Sequence, residues 1–192
     1  MKKICYEQKL HDILYSNDWF MLVLRASRQC NPPGWFVGAG VIRNIVWDYL
    51  HNYTKPTVLS DVDVAFFDPE DLSPERDQYV QEQLLSYLPD VPWEATNQAS
   101  VHLWYKQLFG YSVPALESSE DAIATWPETV TSIGVRLLPT DELFVVAPFG
   151  LDDLFNMILR RNPSRISVEL FRQRVQEKGI QLKWPEVKII DG

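Results

Sequence analysis

The sequence predicts an α+β protein, and three observations carry that reading. Apolar stripes at helical spacing occupy both ends of the chain. Short apolar runs with strand-like alternation lie between them, and no repeat, low-complexity tract or linker divides the 192 residues. A single domain spanning 1–192 is therefore expected, with N-terminal helices over about 7–29, a core over about 35–163 and a C-terminal helix and tail over about 164–192.

Leu10, Ile13 and Leu14, then Phe20, Val23 and Leu24, recur at helical spacing, with an interruption at Ser16-Asn17-Asp18. Asn31-Pro32-Pro33-Gly34 ends this part. Trp35-Phe36-Val37 is a short apolar strand running into Gly38-Ala39-Gly40. From Gly40 the apolar residues fall at 41, 42, 45, 46, 49 and 50, one face of a helix that closes by Pro56. Val58 to Phe67 reads as a strand. Ser73-Pro74-Glu75 opens a helix to about Leu88, with Val80, Leu84, Tyr87 and Leu88 inward. Val91 to Ala99 follows as a strand, and Ser118 to Thr125 as a short capped helix. Val130 to Leu138 and Leu143 to Ala147 form a hairpin around Pro139-Thr140-Asp141-Glu142. Leu151 to Leu159 and Ser167 to Lys178 read as terminal helices, the second stopped by Gly179.

Composition narrows the function classes. A hydrophobic content of 46% fits a globular core, and seven tryptophans make the chain aromatic-rich. The net charge of −8 and the small basic cluster at Arg160, Arg161 and Arg165 disfavour a long nucleic-acid partner. Cys5 and Cys30 show neither metal-ligand spacing nor a disulfide framework, which points to reduced thiols in the cytoplasm. Met1 to Glu7 opens like a signal n-region but lacks an apolar stretch, and no segment is long enough for a membrane span.

The chemistry concentrates in Ser60-Asp61-Val62-Asp63-Val64. Strand alternation places Asp61 and Asp63 on one face and Val62, Val64 and Phe66 on the other. Two adjacent carboxylates repel each other unless a divalent cation sits between them, which calls for Mg²⁺, with Mn²⁺ as an alternative occupant. Upstream, Gly38, Ala39 and Gly40 form a tight turn at a helix start. Free N–H groups and the helix dipole make such a turn an anion site. Glu94 on the following strand is the candidate third carboxylate, ahead of Asp68 and Asp121. Arg43, in the first turn after Gly40, is placed to meet a phosphate or to brace the Asp strand. Ser60 belongs with the nucleotide-binding set. Asn97 and Gln98 suit a base or sugar edge, or else hold a loop to a strand end. His102 has no carboxylate at a triad-like spacing.

The order of strand, Gly-Ala-Gly turn, helix and Asp-x-Asp strand resembles the nucleotidyltransferase superfamily of DNA polymerase beta. Ala39-Gly40-Val41-Ile42-Arg43-Asn44 is similar to the G-G-x-V-R-D signature of its CCA-adding branch, with alanine for the first glycine and asparagine for the last aspartate. Those departures, a longer gap to the Asp pair and the lack of a basic extension point away from tRNA end synthesis. A bacterial family of nucleotidyltransferase-like proteins is a nearer likeness. It is carried by Val37 to Gly40 with Arg43-Asn44 and Trp47-Asp48, Asp61-Val62-Asp63, Asn97-Gln98-Ala99 with His102, Ser119 to Ile123, Trp126 to Thr129, Gly134-Val135-Arg136 and Pro148 to Leu154.

The resemblance implies a polymerase-beta-like fold, with a small mixed sheet flanked by helices, and transfer of a nucleoside monophosphate from an NTP to an unidentified acceptor hydroxyl. Asp61, Asp63 and Glu94 would be the catalytic and metal-holding acids. Gly38, Ala39, Gly40, Arg43, Ser60, Asn97 and Gln98 would contact the nucleotide. The alternatives are a nucleotide sensor without turnover, or an interaction domain using Trp93, Trp104, Tyr105 and Tyr111 as an exposed patch.

Overall fold

The computed structural model describes residues 5–191; Met1–Ile4, which carry part of the n-region reading, and Gly192 lie outside it. Two helices, α1 (Tyr6–Tyr15) and α2 (Asp18–Cys30), precede strand β1 (Phe36–Gly38) and helix α3 (Gly40–Leu50). Then come β2 (Val62–Phe66), α4 (Pro74–Tyr87), β3 (Trp93–Asn97), a 3-10 turn over Gln98–Ser100 and α5 (Val101–Phe109). The chain continues through α6 (Ser119–Ala124), β4 (Gly134–Leu137), β5 (Leu143–Val146), α7 (Asp152–Phe155) and β6 (Ile158–Arg160). It closes with α8 (Val168–Lys178), α9 (Ile180–Lys183) and β7 (Lys188–Ile190).

Five strands form one mixed sheet in the order β3-β2-β1-β4-β5, and β6 pairs with β7 in a separate parallel ribbon. Only β2 and β3 run parallel within the larger sheet. The α+β class with a small mixed, helix-flanked sheet is thus the observed architecture. One apolar cluster gathers side chains from Leu10 in α1 to Val187 before β7. No described helix is long and apolar enough to cross a membrane.

Helix α3 organises the packing around the sheet end. Its Trp47 indole donates to the Leu154 carbonyl (2.9 Å) and meets Trp184 edge-on at 5.3 Å. The Trp184 indole in turn donates to Asp48 (2.7 Å), so the segment after α9 is clamped to α3. Arg174 and Lys178 of α8 line the same cleft as Ala39 and Gly40 at the start of α3.

Four local expectations change. The strand expected from Val58 begins at Val62, because β1 and β3 provide no partner before that register. Leu151 to Leu159 makes a single helical turn, and Met157 at φ 53° then turns the chain into β6. Tyr87 is exposed rather than inward. Helix α5 and the final pair α9 and β7 had no counterpart in the sequence reading.

The turn between β1 and α3 carries strain. Ala39 sits at φ 57°, ψ −123°, a region that only glycine enters without steric cost. Its N–H donates to the Ile133 carbonyl (3.1 Å), which fixes that geometry from the neighbouring segment. Ala39→Gly should therefore stabilise the fold by about 1 kcal/mol, or roughly 2–4 °C in Tm. A thermal melt with an unchanged or lower Tm would remove the strain argument.

Candidate active site

Gly38 ends β1 at the middle of the sheet, paired with Asp63 on one side and Gly134 on the other. A Cβ at Gly38 would lie 2.7 Å from the Ile133 oxygen and 2.8 Å from the Trp126 ring, so this glycine is demanded by packing. Gly38 itself does not line the cleft beside it, whereas Ala39 and Gly40 do. The N–H groups of Gly40, Val41 and Ile42 open α3 without intrahelical partners, whereas that of Arg43 donates to the Ala39 carbonyl (3.4 Å).

The cleft, of about 260 Å³, is bounded by the start of α3, the Val58 to Asp63 segment, Glu94 and Thr96 of β3, the Trp126 to Thr131 segment and α8. Asp61 and Asp63 both line it, although Asp61 precedes the strand rather than lying in it. The Ser60 hydroxyl donates to Asp61 (2.8 Å) at the exposed rim. Asp63 and Glu94 are register partners in the parallel pair β2/β3 and project from the same face. Burial, then the charges of Asp61 and Glu94, push the Asp63 carboxyl up to about 7, against the opposing pull of Lys178 and Arg174. Among the described residues no three His, Cys, Asp or Glu side chains converge as a cation-holding set. Two carboxylates still suffice for Mg²⁺ when substrate phosphates complete its shell, and the repulsion around Asp63 is what a divalent cation would relieve.

Facing the acids is a set of cations. Arg43 is buried, with Nε (3.2 Å) and Nη2 (2.7 Å) both donating to the Asn44 side-chain oxygen. Its guanidinium also lies over the rings of Trp47 and Trp184, at 5.6 and 5.2 Å. Nη1 is buried with no partner. Burial lowers the Arg43 pKa, while Glu128, Asp61 and Asp63 act to raise it. Asn44 is neutral, so its side chain accepts from the guanidinium without cancelling its charge.

Glu128 is the counter-charge of this region. It is 3% exposed and accepts from Arg174 Nε (3.1 Å) and from the Thr131 hydroxyl (2.8 Å). Burial alone would raise its pKa; Arg174, Lys178, the Thr131 hydrogen bond and Arg43 outweigh that and hold it below the usual carboxylate range. Lys178 and Lys183 complete the cationic wall. Burial of the Lys178 ammonium lowers its pKa; Glu128 opposes the change, and Arg174 and Arg43 add to it.

Asn97 is not brought to the cleft. Its side-chain oxygen accepts from the N–H groups of Asp68 (2.9 Å) and Ala99 (3.1 Å), and its nitrogen donates to the carbonyls of Asp68 (2.8 Å) and Asp71 (2.9 Å). All four of its hydrogen-bonding positions are used in pinning a loop to the end of β3. Gln98 does line the cleft, with its amide donating to the Thr96 carbonyl (3.2 Å). Of the interaction-patch residues, Trp93 and Tyr105 are buried, so they build no exposed patch.

Sequence reasoning missed Trp126, Glu128, Thr131, Arg174, Lys178 and Lys183. Arg174 and Lys178 had a readable signal, since a spacing of four puts them on one helix face. Glu128 lay within a stretch singled out for its family likeness, but nothing local marks it as the partner of three cations.

No curated protein matches the chain in sequence. In structure it is similar to a protein whose NMR structure is described as revealing a CCA-adding enzyme head domain. The identity is 27%, with 95% of this chain and 94% of that one covered, at a TM-score of 0.79. A CCA-adding enzyme solved with ATP matches at 14% identity and TM-score 0.53, over 94% of this chain and 41% of its own. The Thermotoga maritima CCA-adding enzyme complexed with tRNA gives 13% identity and TM-score 0.50, over 95% and 42%. This chain thus spans about two fifths of those two enzymes, and the likeness to them is one of fold. A family model described as nucleotidyltransferase matches residues 25–189, from α2 through the glycine turn and the carboxylate strand to β7. With that match running across nearly the whole fold, the chain belongs to the nucleotidyltransferase family and is a nucleotidyltransferase of the polymerase beta type.

Proposed function

We propose that the chain, acting as one domain over residues 1–192 in the cytoplasm, transfers a nucleoside monophosphate from an NTP to a hydroxyl of a small molecule or protein in a Mg²⁺-dependent reaction. The observation that carries this reading is the opposition, across one cleft, of the Asp61–Asp63 pair and the buried Arg43 guanidinium at a helix start. The net charge of −8 argues against a long nucleic-acid acceptor.

In this reading the β- and γ-phosphates lie against the first turn of α3, where the N–H groups after Ala39 supply donors and the buried Arg43 guanidinium supplies positive charge. Arg174, Lys178 and Lys183 neutralise charge on the departing side. Asp61 and Asp63 hold Mg²⁺, or Mn²⁺ in its place, which when bound supplies charge neutralisation for the phosphates and acidifies the acceptor hydroxyl. Gln98 and Ser60, which both line the cleft, orient the nucleotide. The acceptor oxygen forms its bond to the α-phosphorus as the bond to the α,β-bridging oxygen breaks. The electron pair leaves with pyrophosphate, and the hydroxyl proton passes to Glu94, the exposed carboxylate beside Asp63.

Calorimetry tests the reading directly. ATP, GTP, CTP and UTP would each be titrated into wild type and into Asp61→Asn/Asp63→Asn, with and without Mg²⁺. Metal-dependent binding of at least one NTP, lost in the double variant, is the expected result. A folded wild type that binds no NTP would end both the enzyme and the sensor readings. Binding without any release of pyrophosphate across an acceptor panel would leave the sensor reading in its place.

A further inference from the structure

A second cavity, of about 470 Å³, opens beside Asp63. It shares Asp63, Thr96, Gln98, Trp126, Pro127 and Arg174 with the phosphate cleft, so the two volumes meet at the carboxylate. Its walls are different in kind. Trp104, Tyr105 and Phe109 of α5, with Tyr111 and Trp126, make it largely aromatic.

These rings are fixed against one another. Tyr105 lies 4.4 Å from Phe109 and meets Tyr111 edge-on at 5.3 Å, with the two hydroxyls 3.0 Å apart. The Tyr111 hydroxyl donates to the Arg165 carbonyl, tying the box to the segment before α8. The Arg165 guanidinium lies 4.0 Å from the centre of the Tyr105 ring. Among the described residues Arg165 has no carboxylate partner, while Arg174 is taken by Glu128.

The position of this cavity matters as much as its lining. An in-line displacement brings the acceptor oxygen in opposite the departing pyrophosphate. With pyrophosphate held at the Gly40 and Arg43 end, the acceptor must reach Asp63 from elsewhere, and the aromatic cavity is lined by Asp63 but not by Ala39, Gly40 or Arg43. Val58, Leu59, Ser60 and Asn44 line the first cleft but not the second, and in the proposed transfer they take the nucleoside. A volume of this size suits a small molecule rather than a folded partner. Stacked side chains favour a flat ring; of the charged groups on the walls, Asp63 and Glu177 are carboxylates and Arg174 is paired with Glu128, so the unpaired Arg165 guanidinium is the one that favours an anionic substituent.

We propose that the aromatic cavity is the acceptor site, and that the acceptor is a small hydroxylated aromatic compound bearing an anionic group. This rests on the nucleotidyl transfer proposed above and narrows its acceptor class. The hydroxyl oxygen of that compound bonds to the α-phosphorus, pyrophosphate leaves with the electron pair, and the proton passes to Glu94.

The test uses 4-hydroxyphenylacetate as the probe, observed by saturation-transfer NMR, beside glucose and a serine-containing peptide. The full chain would be compared with Trp104→Ala and Arg165→Gln. The probe should bind wild type and weaken roughly tenfold in Trp104→Ala and roughly fivefold in Arg165→Gln. ATP with Mg²⁺, measured by calorimetry, should bind all three proteins alike. Failure of the probe to bind wild type while ATP binds would overturn the acceptor assignment alone. So would binding of glucose or the peptide in preference to the probe. Equal weakening of ATP and probe in Trp104→Ala would make the cavity the nucleoside site and overturn it too. Probe binding in a protein that binds no ATP would defeat the transfer reading, and the acceptor role with it.

Discussion

Asp63→Asn should lower turnover on the order of a thousandfold while making the metal-free protein more stable above neutral pH. The two effects come from the same position. Asp63 sits mid-sheet, between Gly38 of β1 and Glu94 of β3, where burial and two neighbouring carboxylates raise its pKa to about 7. Its folded pKa therefore lies above its unfolded one. The stability gained by holding the proton is full below the ordinary carboxylate range and is lost as the pH rises through about 7. Asparagine has the same shape and never ionises, so it avoids that loss. The difference in stability should grow across this window to the order of 2 kcal/mol, or roughly 4–8 °C in Tm, at mildly alkaline pH. Mg²⁺ should raise the Tm of wild type there and leave the variant unmoved. Melts across the pH range, with and without Mg²⁺, check all three statements. A variant less stable than wild type at every pH would make Asp63 a structural carboxylate and remove it from the proposed metal site.

Such a trade between stability and chemistry explains which parts of the site were legible in the sequence. Charged groups on an apolar strand are locally unfavourable, and Asp61 and Asp63 stood out for that reason. The glycine turn was visible through its order before them, and the stripe from Val41 to Leu50 marked α3 correctly. The cationic half of the cleft was not visible. Arg174, Lys178 and Lys183 look like ordinary solvent-facing charges, and their place at the cleft follows from the Trp184–Asp48 clamp across the chain. Asn97 is ambiguous in the sequence: an amide beside an acid strand suits either ligand contact or loop closure, and its bonds close a loop. The apolar spacing from Leu151 to Leu159 was helical, but β6 pairs with β7, a partner some 30 residues downstream that no local window includes.

Glu128→Gln should be the most destabilising single substitution at the cleft, and its rescue should identify the cleft's ligand. Glutamine keeps the shape and an acceptor for the Thr131 hydroxyl and Arg174, so what is lost is charge. Arg43, Arg174 and Lys178 then crowd the cleft without the buried carboxylate that faces them all. Breaking a buried ion pair from one side costs about 3 kcal/mol, or roughly 6–12 °C in Tm for a chain of this size. The pH dependence has a definite sign. The folded pKa of Glu128 is lowered, so its contribution is present above the ordinary carboxylate range and is lost as the pH falls through the folded value. Wild type and variant should therefore converge in acid and separate towards neutrality. Inorganic triphosphate supplies the missing negative charge if these cations form the proposed phosphate site. It should raise the Tm of the variant by more than it raises that of wild type, closing part of the gap. Equal stabilisation of both proteins would mean that Glu128 balances a purely structural cluster, and the triphosphate would have to be bound elsewhere than between α3 and α8.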